Sequence, residues 1–474
     1  MRWIQSLRIA LVWGGVIAGV VGCTSVNQPL NPPDVALAQR AHNATRASVL
    51  RVPRGTLGTP RLDERWRLDE HVRPATRPHP RPRDDGYFLG VAISGGGLRS
   101  ANFSAACMFQ LQKLGLLDRV DYISSVSGGS LTAAYYCLND DANWNPGNVQ
   151  KKLTHHFATD GWVKVLMPWN MLALMFSDYD RSDILAEAFE KVLFSDHGRA
   201  QTFADLRADR PRLLMNATDL QSGKPFVFAD DKFDELNSDL SKYPIAYGVA
   251  ASAAVPVLLH QVTLRDFSTT FKQYRHLIDG SINDNLGVKT LVDAYRQQLR
   301  EGPPDLYRNG AVFLVIDART DFSAKISSQG DTSLGDSLQF ATGLASTALV
   351  NRASTATLAE IILESSPDNV TAGQLRQERD ELINNGYVRF DNIDGRPVHV
   401  VHIALSRVRE MQELPSIDFS ESVNRIDTYF NIEQSQAYQL YQAADLLVSR
   451  KFKTVLSNIA DEMRNSAAAT QPVR

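Results

Sequence analysis

Two strand–turn–helix units follow one another in this sequence, and their succession constrains the fold more than any other feature. The first has an apolar run over 87–93, the turn Ser94-Gly95-Gly96-Gly97, and a helical pattern over 98–114. The second has a strand pattern over 120–126 and a helical pattern over 128–138. Units of this kind in close succession are typical of a parallel sheet covered by helices.

Later parts of the sequence continue the alternation. Apolar runs predict further strands, at 212–218, 226–229, 275–278, 311–317 and 398–406. Apolar residues at helical spacing predict further helices, at 183–194, 245–254, 286–300 and 431–462. We therefore expect an α/β protein with a mainly parallel sheet.

The first 22 residues predict a secretory signal. Arg2 and Arg8 precede an uncharged, largely apolar run from Ile9 to Gly22. This run is shorter than the roughly 20 residues of a membrane span, but it suits the apolar region of a signal peptide. It ends in Val20-Val21-Gly22-Cys23, which resembles the lipobox of bacterial lipoproteins. Cleavage there leaves the cysteine as the lipidated first residue.

Lipidation of Cys23 would attach the protein to a membrane without a spanning helix, because two or more acyl chains anchor stably. The alternative is an ordinary signal peptide. Thr24 stands where aspartate commonly marks retention in the inner membrane, so we expect a lipid-anchored protein of the bacterial cell envelope, at the outer membrane. Residues 23–86 are rich in Arg and Pro in their second half and predict a flexible tether.

The second turn, Ser125-Val126-Ser127-Gly128-Gly129, resembles a nucleophile elbow. In the pattern G-x-S-x-G, small residues flank a serine on a strained turn that exposes its hydroxyl. Gly129 fills the last position, while Ser125 replaces the first glycine. The pattern indicates Ser127 as a candidate nucleophile, although a turn of this composition can also be only a turn.

The first turn offers backbone amides to an anion. Gly95, Gly96 and Gly97 leave their N–H groups unhindered, so they suit either a phosphate or the oxyanion of an acyl intermediate. The dinucleotide fingerprint fails because Ser100 stands at its third glycine position, and the P-loop pattern lacks Gly-Lys-Ser/Thr. An oxyanion hole that faces Ser127 is the interpretation that uses both turns.

A nucleophilic serine needs a base. None of the ten histidines lies in a loop typical of a catalytic triad, and His399 and His402 lie on a strand-like run that favours a structural role. Asp279 ends a short apolar run and is followed by Gly280. Functional residues gather at the carboxyl ends of strands in open α/β sheets, which makes Asp279 the candidate base. Taken alone, the segment could be a simple Asp-Gly turn.

Five blocks in this order resemble the patatin-like phospholipases, and the first is most similar to the cytosolic phospholipase A2 branch. They are SGGGLRS (94–100), SVSGGS (125–130), NATDLQSGKPFVF (216–228), AASAAVPVLLHQVTL (250–264) and DGSINDNLG (279–287). The resemblance covers about residues 86–320. It implies a three-layer α/β/α sandwich and a Ser–Asp dyad without a catalytic histidine.

The resemblance assigns roles to particular residues. Ser127 would be the nucleophile and Asp279 its base, while Gly95, Gly96 and Gly97 would form the oxyanion hole. Arg99 would bind the substrate phosphate, for which a guanidinium provides several directed donors. No cofactor and no metal are implied. The catalytic core would span 87–320, and 321–474 would pack on it as helices and a strand.

Composition excludes several other classes. The 474 residues carry a net charge of −3 and three cysteines, which argues against a nucleic-acid partner and a disulfide scaffold. Cys107 and Cys137 could form one pair after export or remain two buried thiols. The predicted function is hydrolysis of acyl esters in phospholipid or related lipids. A catalytically idle lipid- or partner-binding lipoprotein and a phosphate- or nucleotide-binding protein are the alternatives, and the oligomeric state is left open.

Overall fold

The described parts of the chain omit most of the N-terminal region. This computed structural model describes residues 28–34, 85–157, 180–256, 259–269, 271–303, 305–320, 357–359, 361–362, 370–392, 395–427 and 430–470. The predicted signal peptide, Cys23 and most of the predicted tether lie outside these ranges. Residues 28–34 pack on the fold, where Asn31 is buried and the Asp34 amide donates to the Asn237 carbonyl at 2.8 Å, so the prediction of a flexible tether is corrected for them. Among the described residues, no helix combines the length and the apolar character that crossing a bilayer requires.

A nine-stranded sheet forms the centre of the fold. The strands are β1 (Tyr87–Ile93), β2 (Tyr122–Val126), β3 (Ser195–Asp196), β4 (Arg199–Ala200), β5 (Arg212–Asp219), β6 (Pro225–Phe228), β7 (Val262–Asp266), β8 (Gln273–Asp279), β9 (Gly310–Asp317), β10 (Tyr387–Asp391) and β11 (Pro397–Ala404). The sheet has the order β10-β11-β9-β1-β2-β5-β8-β7, with β6 paired to β5, while β3 and β4 form a separate hairpin.

The central strands of this sheet are parallel. β11, β9, β1, β2 and β5 pair in parallel, whereas β10, β6, β8 and β7 run antiparallel to their neighbours. The carboxyl ends of the five parallel strands therefore share one edge of the sheet. Both turns singled out in the sequence follow strands that end at this edge.

Helices cover both faces of the sheet. They are α1 (Gly97–Lys113), α2 (Gly128–Leu138), α3 (Pro146–Leu153), α4 (Arg181–Leu193), α5 (Asp230–Glu235), α6 (Ile245–Ser252), α7 (Ser281–Asp284), α8 (Val288–Glu301), α9 (Ala372–Asn385), α10 (Phe419–Asn424), α11 (Gln434–Leu446) and α12 (Lys453–Thr470). The helix predicted over 431–462 is interrupted by a π-helical turn, Leu447–Lys451, where the Phe452 amide bonds to the Leu447 carbonyl at 2.9 Å. The i→i+5 spacing of that bond separates α11 from α12.

Alternating side chains of β1 divide the interior into two cores. Leu89, Val91 and Ile93 pack with the helices that include α1 and α2, whereas Phe88 and Ala92 pack with α8 on the other face. Successive residues of a strand point to opposite faces, so a fully buried strand serves two cores. The predicted three-layer α/β/α sandwich with a mainly parallel sheet is confirmed.

The two cysteines in the described region are buried in one of these cores and do not pair. Cys107 and Cys137 are both free thiols. The Cys137 thiol lies 3.6 Å from the carbonyl oxygen of Pro211, to which it donates. Of the two interpretations left open by the sequence, the structure shows buried thiols.

Candidate active site

Ser127 lies on a strained turn between β2 and α2. Its backbone has φ 51° and ψ −126°, a conformation that L-residues rarely adopt. Such backbone strain costs about 1–3 kcal/mol and persists only where the surroundings enforce it. Val126 ends the strand and Gly128 begins the helix, so the turn has the geometry expected of a nucleophile elbow.

Ser252, at the end of α6, holds this turn. Its hydroxyl accepts a hydrogen bond from the Ser127 amide at 2.8 Å and donates to the Asn216 carbonyl in β5 at 2.6 Å. Its own carbonyl accepts from the Gly280 amide at 3.2 Å. Ser252 thus connects the Ser127 turn to β5 and to Gly280, which follows β8. Sequence reasoning assigned it no role, although it lies among the small residues of the block 250–264.

Ser125, which replaces the usual elbow glycine, has a hydrogen-bond partner inside the turn. The Ser252 hydroxyl donates its single hydrogen to Asn216, so Ser130 must donate to Ser252 across 3.1 Å. Ser125 then donates to Ser130 across 3.0 Å. The Ser125 hydroxyl is therefore satisfied, and its presence is compatible with the turn.

Gly95 contributes close packing rather than a free amide. Its N–H donates to the Asn285 carbonyl at 3.0 Å, so the prediction that it serves an oxyanion is corrected. A Cβ at this position would lie 2.7 Å from the Asn285 side-chain oxygen and 3.3 Å from the Ser127 Cβ. The absence of a side chain allows the glycine-rich turn to approach Ser127.

The N-termini of α1 and α2 meet beside Ser127. Gly96 and Gly97 both have positive φ, 137° and 56°, and α1 begins at Gly97. A Cβ on Gly128, the first residue of α2, would lie 2.0 Å from the Gly97 carbonyl oxygen. The first amides of a helix have no acceptor within it and carry partial positive charge. The amides of Gly97 and Gly128 can therefore stabilise an anion here, and sequence reasoning missed Gly128.

Asp279 ends β8 and is buried beside Ser127. Ser127 is 5% exposed and Asp279 is 2% exposed. Burial raises the pKa of the Asp279 carboxyl, while hydrogen bonds from Ser281 and from the Ser127 side chain oppose the rise. The Ser281 amide donates to this carboxylate at 2.7 Å. A carboxyl group whose pKa is raised by burial is suited to accept a proton.

Arg99, in the first turn of α1, is almost fully buried. Its Nε donates to the Ala318 carbonyl at 2.9 Å and its Nη1 donates to the Ile426 carbonyl at 2.8 Å. Its Nη2 points toward the glycine-rich turn, 3.5 Å from where a Cβ of Gly96 would stand. Burial lowers the pKa of Arg99 to about 10, so the guanidinium remains charged at neutral pH. It joins the turn to residues of the C-terminal part.

The two histidines on β11 are engaged elsewhere. His402 Nε2 lies 2.9 Å from the carboxylate of Asp317, and His399 Nδ1 lies 3.1 Å from the Tyr387 hydroxyl. The first pair connects β11 to β9 and the second connects β11 to β10, so both histidines have partners within the sheet. Within the described ranges, no group of three or more His, Cys, Asp or Glu side chains could hold a metal ion.

The α/β sandwich and the serine on a strained strand-to-helix turn place this protein in a broad class, the α/β proteins with a nucleophile elbow. Within that class, residues 91–292 match the family model of the patatin-like phospholipases. This match confirms the predicted resemblance to the patatin-like phospholipases for residues 91–292.

Similar proteins belong to the cytosolic phospholipase A2 group. Cytosolic phospholipase A2 delta of Homo sapiens is 30% identical over 128 residues, which are 26% of this chain and 14% of the relative. The Mus musculus protein of the same name is 35% identical over 72 residues, or 15% of this chain and 8% of the relative. The solved structure of human GIVD cytosolic phospholipase A2 covers 82% of this chain, and the match takes in 61% of that chain, with 14% identity and a TM-score of 0.45. This chain thus spans only part of each of these relatives.

If the two turns form a site for ester hydrolysis, as proposed below, replacing Gly128 by alanine is expected to reduce that activity at least about 100-fold, because a displacement of about 1 Å at a reacting centre can have that effect. The new methyl group would overlap the Gly97 carbonyl and push the two helix N-termini apart. The measurement is kcat/KM on a soluble short-chain ester.

Gly147→Ala is the matched control, since this glycine lies at the exposed start of α3 with no atom closer than 3.5 Å to the added carbon. We expect no change in that variant. Wild-type activity in Gly128→Ala would contradict the proposed packing of the two turns.

Proposed function

We propose that this protein is a serine hydrolase that cleaves acyl esters of phospholipid or related lipids. The observation that carries the proposal is the strained conformation of Ser127 beside the buried carboxyl of Asp279. The match of residues 91–292 to the patatin-like phospholipases supports lipid as the substrate class. Ser127 is the nucleophile and Asp279 the general base.

The first half of the proposed reaction transfers the acyl group to Ser127, and Asp279 carries the proton. Ser127 Oγ forms a bond to the acyl carbonyl carbon while its proton passes to Asp279. The carbonyl oxygen becomes an anion, which the amides of Gly96, Gly97 and Gly128 stabilise. The C–O bond to the leaving alcohol then breaks, and that alcohol takes the proton from Asp279.

Water completes the cycle. It attacks the acyl-serine as Asp279 removes its proton, and the bond to Ser127 breaks with return of a proton to Oγ. The products are the free fatty acid and the regenerated enzyme. Burial favours this sequence because it makes the neutral, protonated form of Asp279 accessible as an intermediate.

The test of this function is release of free fatty acid from phospholipid vesicles and from soluble short-chain esters by the wild-type protein. We expect hydrolysis of both, without an added metal ion or cofactor. A folded wild-type protein that hydrolyses no ester across lipid classes would contradict the proposal and favour the catalytically idle, lipid-binding alternative.

Arg99 provides the positive charge for a substrate phosphate in this proposal. Two of its nitrogens already bind carbonyl groups, so the phosphate would meet Nη2 and the charge beside Gly96. In Arg99→Lys, which keeps the charge but loses the fork geometry, we expect kcat/KM to fall about tenfold more for phospholipid than for an uncharged ester. Equal losses on the two substrates would assign Arg99 a structural role alone.

Cys23 is the proposed attachment to the membrane. Its position at the end of the apolar run supports lipidation, and we infer an anchored protein of the bacterial envelope, at the outer membrane. Mass spectrometry of the membrane-extracted protein tests this inference. A diacylglyceryl group on an N-terminal Cys23 is expected, and an unmodified N-terminus elsewhere would contradict it.

A further inference from the structure

Two hairpins project beyond the edge of the sheet that carries Ser127. Val126, the last residue of β2, pairs with Asn216, but β5 continues for three more residues to Asp219. β8 runs antiparallel to it, so its first residues lie still farther beyond the edge, together with their partners in β7. The β5–β6 and β7–β8 hairpins therefore stand on the side of the sheet where the candidate active site lies.

Large apolar side chains are exposed on these hairpins and beside them. Phe271 at the tip of β7–β8 is 78% exposed, and Leu220 in the β5–β6 turn and Ile282 in α7 are each 51% exposed. The turn is fixed to its neighbours, since the Leu220 amide donates to the His276 carbonyl at 2.8 Å and Asn283 donates to the Gly223 carbonyl at 2.9 Å. We call residues 219–225, 262–269, 271–276 and Ile282 the hairpin face.

The hairpin face carries more positive than negative charge. Its two aspartates, Asp219 and Asp266, are buried and both lie near the Arg275 guanidinium, at 3.3 and 3.8 Å. Lys224 and Lys272 are exposed to solvent. A cavity of about 290 Å³ opens between the hairpins, with Lys272 and Arg275 in its wall. An anionic partner therefore finds cations next to exposed apolar side chains.

We propose that the hairpin face lies on the surface of an anionic lipid bilayer. The proposal rests on the proposed function, because a lipid hydrolase must receive its substrate from such a surface. Apolar side chains that enter the boundary layer of the bilayer, with lysines at the headgroups, are the combination that binds membranes peripherally. Ile282 lies only three residues after Asp279, so the bilayer contact continues to the candidate active site.

The N-terminal segment independently leads to the same face. Asn31 pairs with the backbone of Arg265 in β7, since its side-chain amide donates to the Arg265 carbonyl and its side-chain oxygen accepts from the Arg265 amide, both at 2.8 Å. Leu30 beside it is 39% exposed. Asn31 lies eight positions after Cys23, so the chain between them spans at most about 28 Å. A lipid on Cys23 would therefore keep β7 close to the bilayer.

The test uses full-length protein with Ser127→Ala, so that binding is measured without hydrolysis. A cysteine introduced by Phe271→Cys is labelled with an environment-sensitive fluorophore. Cys107 and Cys137 are fully buried, and the thiol of Cys23 carries the proposed lipid. On reconstitution with phosphatidylcholine vesicles containing phosphatidylglycerol, we expect a blue shift and quenching by spin-labelled lipid. Tyr438→Cys is the control and should show neither, because Tyr438 is exposed on α11, which packs mainly against α1.

Two results would overturn the proposal. Equal responses at positions 271 and 438 would show that the hairpin face has no preferred contact with lipid. Equal responses of position 271 on neutral and anionic vesicles, or no effect of added salt, would contradict the anionic surface and overturn the proposal. Because the inactive background needs no hydrolysis, failure of this proposal and failure of the proposed function are separate outcomes.

The active enzyme gives a second measurement. In Phe271→Asp, we expect hydrolysis of anionic vesicles to fall about tenfold, while kcat/KM on a soluble short-chain ester stays at the wild-type value. Tyr438→Asp should change neither rate. A parallel loss on both substrates would mean that position 271 affects the fold or the active site, which would contradict the proposal.

Discussion

Ser127→Ala is expected to reduce ester hydrolysis by about 10⁴-fold or more, because no other group can take the acyl chain when the nucleophile is removed. The fold should persist, because the hydrogen bond from the Ser127 amide to the Ser252 hydroxyl does not involve the hydroxyl that is lost. The measurement is kcat/KM on soluble esters and on vesicles, with circular dichroism to verify folding. Full activity in this variant would contradict the proposed mechanism.

Comparison of Ser127→Gly with Ser127→Ala measures the backbone strain at this position, because both variants lack the nucleophilic hydroxyl. Glycine adopts φ 51° without the cost of about 1–3 kcal/mol, although its own flexibility costs about 0.5–1 kcal/mol on folding. We therefore expect an inactive protein that is more stable than Ser127→Ala, as measured by denaturant unfolding. A lower free energy of unfolding in Ser127→Gly than in Ser127→Ala would show that the turn is unstrained.

Asp279→Asn is expected to reduce hydrolysis by about 10³- to 10⁴-fold, because the amide keeps the shape but cannot accept the proton of Ser127. In the wild type, kcat/KM should rise with pH as Asp279 loses its proton, with a midpoint above the ordinary carboxyl value of 3.8, since burial raises this pKa. The measurement is the pH profile on an uncharged ester. A flat profile, or an active Asp279→Asn, would contradict the role of a general base.

The raised pKa of Asp279 also predicts how the stability of the protein depends on pH. Its folded-state pKa lies above the unfolded value, so the folded state binds more protons and stability falls as pH rises through that window. Asp279→Asn should therefore unfold at higher denaturant concentration than wild type at neutral pH, with no difference below the ordinary carboxyl pKa. Asp293→Asn, at an exposed position in the interior of α8, is the control and should behave as wild type. A less stable Asp279→Asn at neutral pH would contradict the raised pKa.

The local parts of the fold and the site could be predicted from the sequence. The two strand–turn–helix units depend on neighbouring residues, so glycine and serine between apolar runs gave the turns at Gly95–Gly97 and Ser127. Asp279 was identifiable because it ends a strand-like run. β7 was missed because only two of its five residues, Val262 and Leu264, are buried apolar side chains, which is too short an alternation to mark a strand.

Contacts between distant residues could not be predicted. Ser252 bonds to an amide 125 positions away, and no local pattern marks a serine among alanines as the support of a turn. The Gly95 amide is occupied by the carbonyl of Asn285, which only the folded chain brings near. The carbonyl partners of Arg99 could not be predicted either, because they lie more than 200 residues further along the chain.

The central claim is that Ser127 is the nucleophile, and covalent labelling tests it most directly. The wild-type protein is treated with an alkyl fluorophosphonate, and the modified peptide is identified by mass spectrometry. We predict a single label on Ser127, slower labelling in Asp279→Asn, and none in Ser127→Ala. A label on another serine, such as Ser130 or Ser252, or no label on the folded wild-type protein, would contradict the account.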